Sequence, residues 1–171
     1  MFRRLEDFTT YWKEEATRTL AVFEAIPDGA LDTAVAEGHR SLRRMAWHLV
    51  ESLIEMPGHW GLEIAGKELI KGMAIVDPPA TMAEIRAAYQ RASDSLLKGL
   101  DAWNEATLDA EDDMYGTNWK RGFSLLVLIT HQVHHRGQMT VLMRQAGLKV
   151  PDIYGPAKEG WVAYGAQPPK V

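Results

Sequence analysis

Three histidines lie within five positions of the sequence, in the stretch THQVHHRGQM at residues 130–139. His131 and His135 are four residues apart, so on an α-helix they are separated by about one turn and their rings project from the same face. Two neutral imidazoles at this spacing can chelate one divalent ion. His134 points away from that face, although a His131–His134 pair is also geometrically conceivable. The pattern alone leaves a metal site and a set of hydrogen-bonded structural histidines equally open.

A two-histidine chelate is incomplete, because catalytic zinc sites usually have three protein ligands and an open position. The best candidate for the third ligand is His48, in the segment RRMAWHLVE, where apolar residues at helical spacing place it on or beside a buried face. His39 and His59 are weaker candidates, since His39 falls in a loop and His59 follows a Pro–Gly pair. Helical bundles build metal sites from side chains of facing helices, as His48 with His131 and His135 would.

Arg136 and Gln138 follow the histidine pair closely. Their side chains could orient metal ligands through hydrogen bonds, or they could serve helix packing. We favour the packing role for both residues.

Four stretches have the three- and four-residue apolar spacing of amphipathic helices, and none has a convincing strand alternation. They run from about Arg4 to Ile26, from Ser41 to Met56 with Pro57 and Gly58 ending or kinking the helix, from Thr81 to about Leu100, and from about Gly122 to Ala146. Ser41 and Thr81 are the predicted N-caps of the second and third helices, and Gly147 is the expected residue after the last. The sequence therefore predicts an all-α fold, a four-helix bundle with up-and-down or crossover connections, in a single domain over residues 1–171.

Two segments lack this spacing. Residues 101–121 read as a long irregular connection, which in a compact domain is usually functional or loosely ordered. The Gly- and Pro-rich tail, residues 149–171, retains Ile153, Tyr154, Trp161 and Tyr164. Those side chains predict that the tail packs on the helical body.

Composition excludes several classes of function. The formal net charge is −4, so no global field draws the chain to nucleic acid or to anionic lipid. There is no cysteine, which excludes disulfides, a thiolate of the chain itself and sulfur metal ligands. The N-terminus does not read as a signal peptide, and no uninterrupted apolar run is long enough to cross a bilayer. We therefore expect a cytoplasmic protein without a membrane or nucleic-acid partner.

The stretch HQVHHRGQMTVLMRQAGLKVPDIYGP resembles the final helix and tail of the DinB (DinB/YfiT-like) family, whose members are related to bacterial thiol transferases. The segment RSLRRMAWHLVE resembles the second helix of that family, including a histidine after an aromatic residue. The resemblance implies a four-helix bundle that binds a divalent metal through His48, His131 and His135, with His134 a neighbour in another role. It also implies a homodimer.

Three neutral histidines leave a bound divalent ion its full charge, so the ion can lower the pKa of a thiol or of water. Nitrogen ligands suit Zn²⁺ or Ni²⁺ and would also accept Fe²⁺ or Mn²⁺. Since the chain has no cysteine, a thiol must arrive as a co-substrate. The resemblance implies S-transfer from a bacillithiol-, mycothiol- or glutathione-type thiol to an electrophilic small molecule as the leading function.

Three alternatives remain open at this point. A metal-dependent hydrolase would use the ion to activate water. A non-catalytic, stress- or damage-inducible protein would use the metal only to pin two helices together. A metal-free bundle would keep the histidines as hydrogen-bonded core residues.

Overall fold

The computed structural model describes residues 1–70 and 76–170. Outside this described part lie residues 71–75 and Val171. Both belong to the predicted single domain, and Val171 also belongs to the predicted tail. The main elements are α1 (Leu5–Glu24), α2 (Leu42–His59), α3 (Met82–Leu100), β1 (Glu111–Met114), β2 (Thr117–Lys120) and α4 (Arg121–Gln145). Short 3₁₀ turns occupy Asp28–Ala30, Lys67–Leu69, Glu105–Asp109 and Trp161–Tyr164. The described part of the chain is therefore mostly helical.

Three of the helix boundaries that the sequence predicted are set by local interactions, whereas α2 continues through Pro57 to His59. The hydroxyl of Ser41 accepts a hydrogen bond from the backbone N–H of Arg44, which caps α2. At the start of α3, Thr81 and Glu84 form a reciprocal capping box. Gly147 follows α4 with a φ of +72°, a left-handed conformation that glycine adopts without steric cost. These predicted caps are confirmed.

The four helices share one apolar core. α1 packs against α3 and α4, and α2 packs against the same two helices. The largest fully buried side chains in this core include Phe8, Trp12, Phe23, Leu53 and Tyr89. The indole of Trp12 donates to the hydroxyl of Ser93, so its one polar atom is satisfied where it is buried. For the site, the important consequence is that α2 and α4, the two helices with clustered histidines, are direct neighbours.

The segment predicted to be irregular contains a β-hairpin, so the all-α prediction was wrong for residues 111–120. β1 and β2 pair antiparallel, with Glu111 opposite Lys120 and Met114 opposite Thr117. Tyr115 and Gly116 form the two-residue turn, both with positive φ, as a hairpin turn of the primed type requires. Met114 is the only fully buried residue of the two strands. The sequence therefore lacks the alternation of apolar and polar residues that would predict β-strands here.

The C-terminal segment contacts the helical body at its beginning. The side chain of Arg18 in α1 donates to the backbone carbonyl of Ile153, and Ile153 packs partly buried against the core. Arg144 near the end of α4 pairs with Glu159. Tyr164 is 65% exposed, so this aromatic ring does not pack on the body as the sequence suggested. Among the described residues, no helix combines the length and the apolar character needed to cross a membrane.

Candidate metal centre

The packing of α2 against α4 brings three imidazole rings together. His48, His131 and His135 each offer one ring nitrogen such that the three nitrogens lie within 4.8 Å of one another. The ring centroids are 5.0 Å apart for His48 and His131, 4.7 Å for His48 and His135, and 4.5 Å for His131 and His135. These are the three residues that the sequence singled out. Their assignment as metal ligands stays a prediction.

The donor set fits a divalent ion of the zinc type. Nitrogen ligands about 2.1 Å from one zinc ion lie roughly 3.4 Å from one another in a tetrahedral arrangement. The three ring nitrogens lie within 4.8 Å of one another, so the rings would have to move closer together to bind one ion in this arrangement. The Nδ1 atom of His131 is buried and has no hydrogen-bond partner among the described residues. A buried polar atom without a partner is costly, and this one is not accounted for by a purely structural role.

The surroundings of the cluster favour the neutral form of all three imidazoles. Burial is the main cause that lowers the pKa of His48 to about 3 and that of His131 to about 4. Burial also lowers the pKa of His135, while the hydrogen bond that this ring donates to the side-chain oxygen of Gln138 acts in the opposite direction. The positive charge of Arg40 lowers all three pKa values further. Metal binding requires unprotonated imidazole, so the cluster is already in the protonation state that a metal ion needs.

Gln138 connects the cluster to His134. The Nδ1 of His135 lies 2.8 Å from the side-chain oxygen of Gln138, and because an amide oxygen can only accept, this nitrogen carries the proton. The lone pair of His135 is then on Nε2. The amide nitrogen of Gln138 lies 3.2 Å from Nε2 of His134. Gln138 therefore orients His135 through a hydrogen bond, whereas from the sequence we favoured a role in helix packing. His134 is a hydrogen-bond partner of Gln138.

Arg136 lies on the opposite side of α4 and has the packing role that the sequence favoured. Its guanidinium is buried and donates to the backbone carbonyl of Glu15 at 3.0 Å and to the hydroxyl of Thr19 at 2.9 Å. It also pairs with the Glu15 carboxylate and donates to the Tyr154 hydroxyl. This network ties α1, α4 and the C-terminal segment together, away from the histidines.

The weaker histidine candidates are not part of the cluster. The Nε2 atom of His59 lies 3.2 Å from the Glu55 carboxylate. The rings of His59 and Tyr115 are tilted relative to each other, with their centroids 5.2 Å apart. His39 contacts the backbone carbonyl of Glu37 at 3.1 Å, although its side chain lines a cavity next to the cluster.

That cavity has a volume of about 410 Å³ and is bounded by the loop before α2, by α2 and by the second half of α4. His135 and Gln138 form part of its wall, so the cavity gives access to the cluster. Its size falls in the range of about 300–1,000 Å³ that is usual for small-molecule sites. Sequence reasoning missed the contribution of Val35 and Arg40, since their loop read only as polar and rich in turn residues.

Comparisons with known proteins identify the family and support the fold. A family model described as "DinB family" matches residues 1–169. "Uncharacterized protein YrdA" of Bacillus subtilis strain 168 is 37% identical over 174 residues, covering 100% of both chains. A crystal structure of a DinB-like protein from Bacillus cereus ATCC 10987 matches with a TM-score of 0.83 and 33% identity, over 90% of this chain and 100% of that one. A DinB-like protein of Bacillus subtilis, YjoA, matches with a TM-score of 0.66 over 88% of this chain and 99% of that one; at 18% identity it shows a shared fold alone.

Proposed function

The chain belongs to the DinB family, and from that membership we propose that it is a metal-dependent thiol S-transferase. In this proposal His48, His131 and His135 hold one divalent ion, and the site activates a thiol co-substrate for transfer to an electrophilic small molecule. The observation that carries the proposal is the cluster of three neutral imidazoles from two neighbouring helices, beside a cavity of ligand size.

The donor set decides what a bound ion would supply. A divalent ion held by three neutral ligands keeps its full charge and lowers the pKa of a thiol or of water brought to it. Zn²⁺ and Ni²⁺ suit nitrogen ligands best, and Fe²⁺ and Mn²⁺ are also compatible. The chain contributes neutral, oriented imidazoles, with Gln138 fixing the ring of His135, and a partly apolar cavity beside them.

The absence of cysteine supports thiol transfer from a co-substrate over any reaction that uses a thiol of the chain itself. In such a transfer the sulfur of the small-molecule thiol forms a bond to the electrophilic carbon. The leaving group departs with the bonding electron pair, and the thiol proton passes to solvent. A thiol of the bacillithiol, mycothiol or glutathione type would serve as the donor.

Metal analysis of the untagged protein tests the ligand set. The wild type should contain close to one divalent ion per chain, whereas His48→Ala and His131→Ala should each lose most of it. His59→Ala is a matched control, because His59 lies outside the cluster. Metal content equal to that of the wild type in both cluster variants would show that the proposed ligands are wrong.

Turnover assays test the reaction. The metal-loaded protein should transfer bacillithiol, mycothiol or glutathione to an electrophile such as 1-chloro-2,4-dinitrobenzene, and His131→Ala should not. Metal-dependent ester or amide hydrolysis without thiol transfer would establish the hydrolase alternative. Metal binding without either activity would favour a non-catalytic, stress- or damage-inducible metal protein.

The remaining expectations from the sequence belong to the same proposal. We take the four helices as a four-helix bundle of the DinB type, with the Gly- and Pro-rich tail packed on its body. Residues 1–171 form a single domain, the protein is a homodimer in the cytoplasm, and its partners are a small-molecule thiol and an electrophile rather than nucleic acid or membrane.

A further inference from the structure

The wall of the cavity beside the histidine cluster has an apolar part and a polar part. Its apolar part consists of Val35, Met45, Val141 and Leu142. Val35 and Val141 are 57% and 56% exposed, so they lie at the mouth, whereas Met45 and Leu142 are buried and lie deeper. Large apolar side chains exposed on opposite sides of one opening are typical of a surface that a ligand covers.

The polar part of the wall contains one formal charge. Arg40 lines the cavity, and no carboxylate is among the lining residues that the structure describes. Within residues 1–70 and 76–170, Arg40 makes neither an ion pair nor a side-chain hydrogen bond. By contrast, the two other arginines of the same segment are paired, Arg43 with Asp32 and Arg44 with Glu51.

Arg40 and His135 line the same cavity, so the only cation among the described residues of its wall and one ring of the histidine cluster face a common space. A guanidinium binds carboxylate and phosphate oxygens through two parallel hydrogen bonds.

We propose that this cavity binds a small molecule with an apolar body and one carboxylate group. The carboxylate pairs with Arg40, and the apolar body lies against Val35, Val141 and Leu142. The reactive end of the molecule is directed at His135. This names the substrate class of the metal centre and so rests on the proposed function. It follows from the juxtaposition of a cation that has no partner among residues 1–70 and 76–170, an apolar wall and a ring of the cluster around a single space of about 410 Å³.

Binding of octanoate and of 1-octanol separates the contribution of the charge from that of the apolar wall. The two probes have the same chain length, so the wall should hold both, and the ion pair should favour octanoate by about tenfold in Kd. Isothermal titration of the full-length protein, first as purified and then after treatment with a chelator, gives both constants. The chelator-treated sample excludes direct coordination of the carboxylate by a metal ion.

Three variants make the test specific. Arg40→Gln should remove the preference for octanoate, while Arg43→Gln should retain it, because Arg43 is paired elsewhere. Val141→Asp, at an exposed position that tolerates substitution, should weaken octanoate binding at least as much as Arg40→Gln does. Equal affinity for the two probes in the wild type, or a preference that persists in Arg40→Gln, would overturn the proposal.

The failure of this proposal and that of the proposed function are distinguishable. If the protein binds no metal but prefers octanoate through Arg40, the S-transferase proposal fails, whereas the proposal that the cavity binds a carboxylate through Arg40 stands. If the metal content depends on His48 and His131 but the preference is absent, the metal centre stands and the assignment of its substrate class is wrong.

Discussion

The ring of His135 is held by a 2.8 Å hydrogen bond from its Nδ1 to the side-chain oxygen of Gln138, one turn further along α4. This contact determines which nitrogen of His135 carries the proton and leaves Nε2 free to bind a metal ion. On its other side, the amide of Gln138 lies next to His134. The cluster thus has support of the kind that usually accompanies histidine ligands of metals.

We predict that Gln138→Ala weakens zinc binding by about 10- to 100-fold, because loss of such a hydrogen bond releases the ring of the ligand. Competition with a chromophoric chelator measures the change. Gln138→Glu retains an oxygen acceptor and should stay closer to the wild type. Unchanged affinity in Gln138→Ala would contradict an orienting role.

A second prediction concerns stability with and without metal. A ligand that binds only the folded state stabilises it, by about 2.7 kcal/mol when its free concentration is 100 times Kd. Addition of Zn²⁺ should therefore raise the Tm of the chelator-treated wild type and of His59→Ala, which keeps the cluster intact. His48→Ala should show little or no shift in a thermal scan, and a shift equal to that of the wild type would exclude His48 as a ligand.

Acidification should destabilise the metal-free protein. Burial lowers the pKa of His48 to about 3 and that of His131 to about 4 from 6.5. Below pH about 6.5 the unfolded chain binds protons that the folded chain does not, so the free energy of unfolding falls as the pH falls. The loss should begin near pH 6.5 and continue to about pH 3 to 4.

Urea unfolding in the presence of a chelator at about pH 7 and about pH 5 measures this dependence. His131→Gln cannot be protonated in this range and should show a smaller difference between the two conditions, whereas His59→Gln should match the wild type. A free energy of unfolding that does not change between the two conditions would mean that the imidazoles are not held neutral by burial.

The buried pair of Glu15 and Arg136 provides a test of the helical framework. Both side chains are 1% exposed. Arg136→Met leaves the buried carboxylate of Glu15 with Arg18 as its remaining ion-pair partner, so it should cost about 3 kcal/mol of unfolding free energy, the lower end of the range for a broken buried pair. The double variant Glu15→Leu with Arg136→Met should recover part of this loss. Urea denaturation measures both.

The pair of Arg144 and Glu159 is the matched surface control. Both residues are partly exposed, so Arg144→Met should change the free energy of unfolding by less than about 1 kcal/mol. A loss in Arg136→Met no larger than this would show that the buried pair contributes little to the fold.

Much of the framework could be predicted from the sequence, because helices are specified locally. Apolar residues at three- and four-residue spacing identified all four helices, and Ser41, Thr81 and Gly147 marked boundaries through contacts within a few residues. The pair of His131 and His135 followed from the helical repeat alone. Selecting His48 as the third member required only that its helix face the other.

The tertiary structure decided the rest, because the remaining features depend on residues distant in sequence. The hairpin of residues 111–120 was missed, since its strands are short and bury one side chain. Which nitrogen of His135 is free depends on the rotamer of Gln138. The cavity is formed jointly by the loop that carries Val35 and Arg40 and by residues of α4, and no local pattern encodes where a loop lies relative to a distant helix.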